Sequence, residues 1–206
     1  QNQRRLGAEP LRDAMLEVSG ELDRTPPAAS PVSTMKDTEL NDRVVITPEQ
    51  KGGHVRSVYL PIARQTLPAM LKAFDFADPS LVIGQRSSRT TPAQQLFLLN
   101  DPFIMDRALM TARRILKSEG DDDSAKIGLL YRILFAREPT DTEQKRSIEF
   151  LSGIQVVLAD AVPLPTGASP AAVSETKPKL TATDYREAAW GHLCHALLAS
   201  GEFLYV

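Results

Sequence analysis

A single cysteine, Cys194, in 206 residues excludes an intrachain disulfide, a paired-cysteine zinc or redox motif and a CxxCH haem attachment. Stability must therefore come from packing. No apolar run approaches the twenty residues that a membrane-spanning helix needs. Charge of one sign is also missing. The 24 Lys and Arg residues face 26 Asp and Glu residues, a net charge of −2 that argues against a nucleic-acid surface spread over the domain. Glycine-rich phosphate loops (GxGxxG, Walker), a GxSxG elbow and an HExxH metal motif are absent too.

What is present is ordinary for a globular chain, with 42% hydrophobic and 24% charged residues. The length favours a single domain, taken here as residues 1–206. The chain opens at Gln1 without a charged-then-apolar leader and closes on the apolar Phe203-Leu204-Tyr205-Val206, so an excised piece of a longer protein is expected.

Periodicity predicts a mainly α fold of five to seven helices with one small β-hairpin. The first helix is expected over 3–19, with Pro10 kinking it or marking its true first turn, and Gly20 as its stop. Residues 25–42 and 160–180 are rich in Pro, Ser, Thr and Ala and are expected to be mobile inserts. Val44-Val45-Ile46 and Val55 to Leu60, around Gly52-Gly53, predict the hairpin. A short helix is expected over 66–74. Thr91-Pro92 and Asn100-Asp101-Pro102 each supply a cap and a first-turn proline, opening helices over 92–99 and 102–117. In the second of these, Ile104, Ala108, Ala112 and Ile115 should face a core, and Arg107, Arg113 and Arg114 should face water. The carboxylates of 121–123 open a central helix, Thr140 with Glu143 forms a capping box for the next, and a last helix runs over 183–200 to a stop at Gly201.

The run from Arg86 and Arg89 through Thr90-Thr91-Pro92-Ala93-Gln94 to Leu99-Asn100-Asp101-Pro102-Phe103 carries a family resemblance. So do Arg4-Arg5-Leu6, Ala8-Glu9 and Arg12-Asp13 at the start, Tyr131-Arg132 with Arg137-Glu138-Pro139 in the middle, and Leu193-Cys194-His195 to Phe203-Leu204-Tyr205 at the end. Together they resemble the planctomycete secreted domain at the C-terminal end of cytochrome-c-linked envelope proteins. The resemblance implies export to the periplasm or cell envelope, upstream domains of the same parent chain as partners, and no established activity. Lacking a haem attachment, this chain would be the haem-free portion, with no cofactor of its own.

No catalytic residue is assigned. Ser33-Thr34-Met35-Lys36 matches an SxxK pattern but lies in a Pro-rich insert, where chance is the better account. His192, Cys194 and His195 crowd one helix on unlike faces, with the thiol expected inward, so no metal site is expected. Asp75 and Asp78 share a loop and are equally turn formers. The span 54–99 has five basic residues against two acidic ones, a net +3 in a chain of −2. Within it Arg86, Arg89, Thr90, Thr91 and Gln94 surround a helix start capped by a neutral Thr, a corner suited to a small oxyanion or an anionic glycan. The structural reading of the same arginines pairs them with Asp75, Asp78, Glu9 or Asp13. Arg4, Arg5, Glu9, Arg12 and Asp13, three and four residues apart, are expected as a solvated ion-pair face or a face that docks a partner domain. The leading function is a non-catalytic binding or scaffolding module of an exported, cytochrome-linked envelope protein. The alternative is part of an envelope enzyme acting on a sulfated or carboxylated glycan.

Overall fold

The computed structural model describes residues 4–29, 53–62, 67–77, 82, 84, 90–120, 122–160 and 182–205. Val44 to Ile46, Ser33 to Lys36, Asp78, Arg86 and Arg89 lie outside them, as do 30–42 and 161–180 of the two Pro-rich inserts. Among the described residues the fold is mainly α, with eight α-helices and no β-sheet. No helix among them is long and apolar enough to cross a membrane. The chain divides into two compact units, one of residues 1–17, 21–97 and 204–206, the other of 18–20 and 98–203.

The first unit is built on α1 (Ala8–Ser19). Ala8, Leu11, Met15 and Leu16 recur at helical spacing and are all buried. Pro10 lies in the true first turn, where its missing N–H costs little. Against this core lie Leu60 and the helix α2 (Ala69–Ala73), which buries Met70, Leu71 and the following Phe74. The Phe74 ring meets Phe97 edge-on with centroids 6.1 Å apart. Phe97 belongs to α3 (Pro92–Asn100), whose start falls where Thr91-Pro92 places it. Leu6, expected in the first helix, instead donates its N–H to the Leu204 carbonyl at 2.8 Å, beside an antiparallel bridge between Arg5 and Tyr205.

Among the described residues the expected hairpin is not seen; its first strand, 44–46, lies outside them, and 55–60 are not a strand. Ser57–Tyr59 closes a single 3-10 turn, and Val55 makes only an isolated parallel bridge with Asp23. The reason lies on α1. The Asp13 carboxylate accepts the Ser57 N–H at 2.7 Å, and Arg12 donates to the Val55 and Gly53 carbonyls at 2.9 and 3.1 Å. Groups that a strand ladder would use are bonded to side chains instead.

The second unit contains α4 (Pro102–Leu116), α5 (Asp123–Phe135), α6 (Asp141–Asp160), α7 (Ala182–Leu198) and α8 (Gly201–Leu204). Each sequence start signal is used. Asp101 accepts the Phe103 N–H, Asp122 accepts those of Ser124 and Ala125, and Thr140 and Glu143 bond each other's amides. Helix α4 packs most extensively on α7, which also meets α6, while α5 touches all three. Gly191 lies in that contact, where an added Cβ would stand 3.4 Å from Leu109. Ile104, Ala108, Ala112 and Ile115 are buried as their spacing predicts. Arg107 is not on the solvent side; it is buried, with its guanidinium 5.3 Å from the Phe103 ring centroid. Gly201, expected to end the last helix, begins the short α8 instead.

Helix α5 ends on Ala136, which sits at φ 54°. A left-handed conformation costs a residue with a Cβ about 1 kcal/mol or more relative to Gly. Ala136→Gly should therefore raise the melting temperature by about 2–4 °C, the shift expected per kcal/mol at this size. Calorimetry showing a lower melting temperature would mean that this turn is not left-handed in solution.

Candidate functional site

Two basic side chains, Arg12 on α1 and Arg5 ahead of it, turn inward. Arg12 is 1% exposed, and besides the two carbonyls its guanidinium donates to Ser57 Oγ at 3.2 Å. The Asp13 carboxylate stands 3.8 Å from it, and the bonds from the charged guanidinium to the carbonyls and hydroxyl hold an irregular backbone that has little hydrogen bonding of its own. The Arg5 side chain is 6% exposed and donates to Gln94 Oε1 at 2.6 Å and Asp75 Oδ2 at 2.7 Å. Gln94 also donates to Asp75 Oδ2 at 3.0 Å and accepts the Thr91 N–H at 3.1 Å, while Thr91 Oγ1 accepts the Gln94 N–H at 3.4 Å. This is a capping box with Gln as its second member. Asp75 holds φ 60° just after α2, where Phe76 N–H returns to the Leu71 carbonyl at 3.0 Å.

These bonds define what the anticipated anion corner does in the described residues. Thr91 and Gln94 bond each other's N–H groups, and Pro92 has none to offer. Thr90 Oγ1 lies 2.8 Å from the Tyr205 hydroxyl. Asp75, one of the acids considered as a partner for Arg86 or Arg89, is bonded to Arg5. Of the anticipated docking residues, Arg5 and Arg12 turn into the unit, and Arg4 is exposed. Glu9 and Asp13 line a cleft of about 580 Å³.

That cleft is the candidate site. Its floor is the face of α1 carrying Glu9, Pro10 and Asp13, and its walls are Arg56 to Val58, Leu60, Ile62 and Phe76. Val58 is 69% and Ile62 37% exposed, so the hollow presents apolar side chains to solvent. A second hollow of about 420 Å³ shares Asp13 and Arg56 with the first and continues along α1 past Ala14 and Glu17 to Leu22 and Arg24. Glu9, Asp13 and Glu17 are successive members of an i, i+4, i+8 row, so one helix face floors both hollows over about 12 Å. Sequence reading missed Val58, Leu60, Ile62 and Phe76, because β-branched and apolar alternation at 55–60 looks the same in a strand and in a turn pinned from outside.

The second unit has its own polar cluster. Arg137 bonds Glu143 through both terminal nitrogens at 2.7 and 2.8 Å and Glu202 through Nε and one terminal nitrogen at 2.6 and 2.7 Å. Its guanidinium also lies 5.4 and 5.6 Å from the Tyr131 and Phe135 ring centroids. Arg137 holds the Glu143 carboxyl down to about 2. Burial raises the Tyr131 phenol and pushes the Cys194 thiol far above its ordinary value, as expected of an inward thiol. The two imidazoles on α7 are half-buried, and His195 Nε2 lies 2.8 Å from the Leu98 carbonyl. Burial, and then His195, lowers the pKa of His192. Among the described residues no three His, Cys, Asp or Glu side chains are grouped to hold a metal ion.

Two outcomes are expected. Arg12→Met keeps much of the apolar stem but orphans the carbonyls of Gly53 and Val55. It should cost about 2–3 kcal/mol and speed amide exchange over 53–60; a melt and exchange profile like those of the parent would deny Arg12 this role. Glu143 has a folded pKa below its unfolded value, so its contribution is complete above about 4.5 and is lost as pH falls from there towards about 2. Glu143→Gln should remove that part of the acid slope in denaturation curves, and an unchanged slope would mean the Arg137 pairing does not persist in solution.

No curated protein and no solved structure matches the chain. One family does, over residues 1–151, a span that includes the whole cleft and Arg137 but neither α7 nor Glu202. On that match the chain belongs to the family described as PSD1: Protein of unknown function (DUF1553).

Proposed function

We propose that this chain is a non-catalytic binding module of an exported, cytochrome-c-linked envelope protein, and that it docks upstream domains of the same parent through the cleft along α1. The envelope setting rests on the motifs from Arg86 to Phe103 and those at either end of the chain. The binding role rests on one observation: an apolar hollow presents Val58 and Ile62 to solvent on a wall that Arg12 and Asp13 fasten to α1. A pre-fastened wall loses little conformational entropy on binding, so burial of its apolar surface is available to affinity. Side chains of the types used in catalysis are engaged here in holding the fold, as with Asp75 under Arg5, Glu143 under Arg137 and the buried Cys194.

Titration calorimetry between this chain and the remaining domains of its parent, made as a separate polypeptide, tests the reading. Val58→Asp and Ile62→Asp should each weaken association at least tenfold. As surface changes they should move stability by no more than about 0.5 kcal/mol. No association, or association indifferent to both substitutions, overturns the proposal.

A further inference from the structure

Helix α6 buries one face, through Ser147 and Leu151, and presents a row of residues beside it. At steps of four and three residues in alternation, Arg146, Phe150, Gly153, Val157 and Asp160 fall in one line along the helix. Arg146 and Gly153 are exposed, and so are the large apolar side chains of Phe150 and Val157, at 38% and 62%. Gly153 is the informative member. A glycine inside a helix is destabilising relative to Ala, and a Cβ added here would meet no described atom within 4 Å. No close contact within the unit requires it. A glycine on an outer helix face does let the backbone of a second helix come close, and Phe150 and Val157 stand one turn to either side of this one.

The row is also self-complementary. Reversed end for end about Gly153, it brings position 146 beside 160 and position 150 beside 157, so a basic residue meets an acidic one and an aromatic residue meets an aliphatic one, each twice. A two-fold axis requires this, because in an isologous contact both copies use the same patch. Parallel pairing would instead set Arg against Arg and Asp against Asp. We propose that α6 is a homodimer contact, in which two copies of this chain cross antiparallel at Gly153, with Phe150 of each against Val157 of the other and Arg146 of each beside Asp160 of the other. The contact lies wholly in the second unit, shares no residue with the α1 cleft and does not depend on the docking proposed above. A single helix crossing covers less than about 1,200 Å², so the dimer is weak and forms towards millimolar concentration.

Sedimentation of the full chain, from micromolar to millimolar concentration, tests the contact and should show a reversible monomer–dimer equilibrium. Phe150→Asp and Val157→Asp should each weaken dimerisation at least tenfold. Gly153→Gln should do the same while raising the melting temperature of the dilute monomer, since the chain itself leaves room for the side chain and the helix gains propensity. Charge reversal tests the antiparallel register. Arg146→Glu and Asp160→Arg should each dimerise at least fivefold more weakly than the parent. An equimolar mixture of these two variants should associate as the parent does, because the heterodimer has both ion pairs, and the difference should fade in 0.5 M salt. A chain that stays monomeric throughout, a dimer indifferent to Gly153→Gln, or a mixture no tighter than either variant alone overturns the proposal. So does a marked fall in the melting temperature of dilute Val157→Asp, which would mean that the chain itself covers this face.

Discussion

The carbonyls of Gly53 and Val55 have to be bonded to something, and the Arg12 guanidinium is what bonds them. Residues 53–60 have one 3-10 turn and one isolated bridge, too little backbone hydrogen bonding to define a position. With one cysteine there is no disulfide to fix them either. A helix can do so from its side, because its own backbone is already satisfied and its side chains are spare. Helix α1 sends Arg12 to two carbonyls and Asp13 to the Ser57 amide, and Leu60 then has a place in the core. The cleft is a consequence: Val58 cannot turn inward while Ser57 and Leu60, its neighbours in the turn, are both fastened there.

The same device recurs with Arg5, which joins Gln94 at the start of α3 to Asp75 beyond the end of α2. It recurs in the second unit, where Arg137 joins the α6 capping box to Glu202 on α8 while lying over two aromatic rings. In each case a planar cation with several donors satisfies helix termini or loops that face different directions. Lysine has one nitrogen and does this only locally, as Lys126 does in reaching the Ser118 carbonyl at the end of α4.

Helices were legible because their signals are local. Asp101-Pro102, Asp122 and the Thr140–Glu143 box each act within three residues, and the structure uses all of them. Gly20 at φ 79° ends α1 for an equally local reason. Charge periodicity misled for the opposite reason. Arg5 and Arg12 sit at spacings that read as a solvated face, yet their partners are 89 and 43 residues away, at Gln94 and Val55. Nothing in the sequence near an arginine says that a distant carbonyl or carboxylate awaits it. The strand expected over 55–60 is absent on the same ground, since a strand propensity is overruled there by side chains some forty residues upstream.

Of the candidate site, only the floor was therefore legible in the sequence. Glu9 and Asp13 were singled out for their spacing on α1, and they do line the cleft, but the apolar wall opposite depends on where Arg12 points. This division has a consequence for how binding and stability are related. Arg12 is buried and structural, whereas Val58 and Ile62 are exposed and contribute little to folding. Change at Val58 or Ile62 leaves the fastening by Arg12 and Asp13 in place, because neither aliphatic side chain takes part in those hydrogen bonds. A surface built in this way can vary its exposed side chains while the helix beneath it stays fixed.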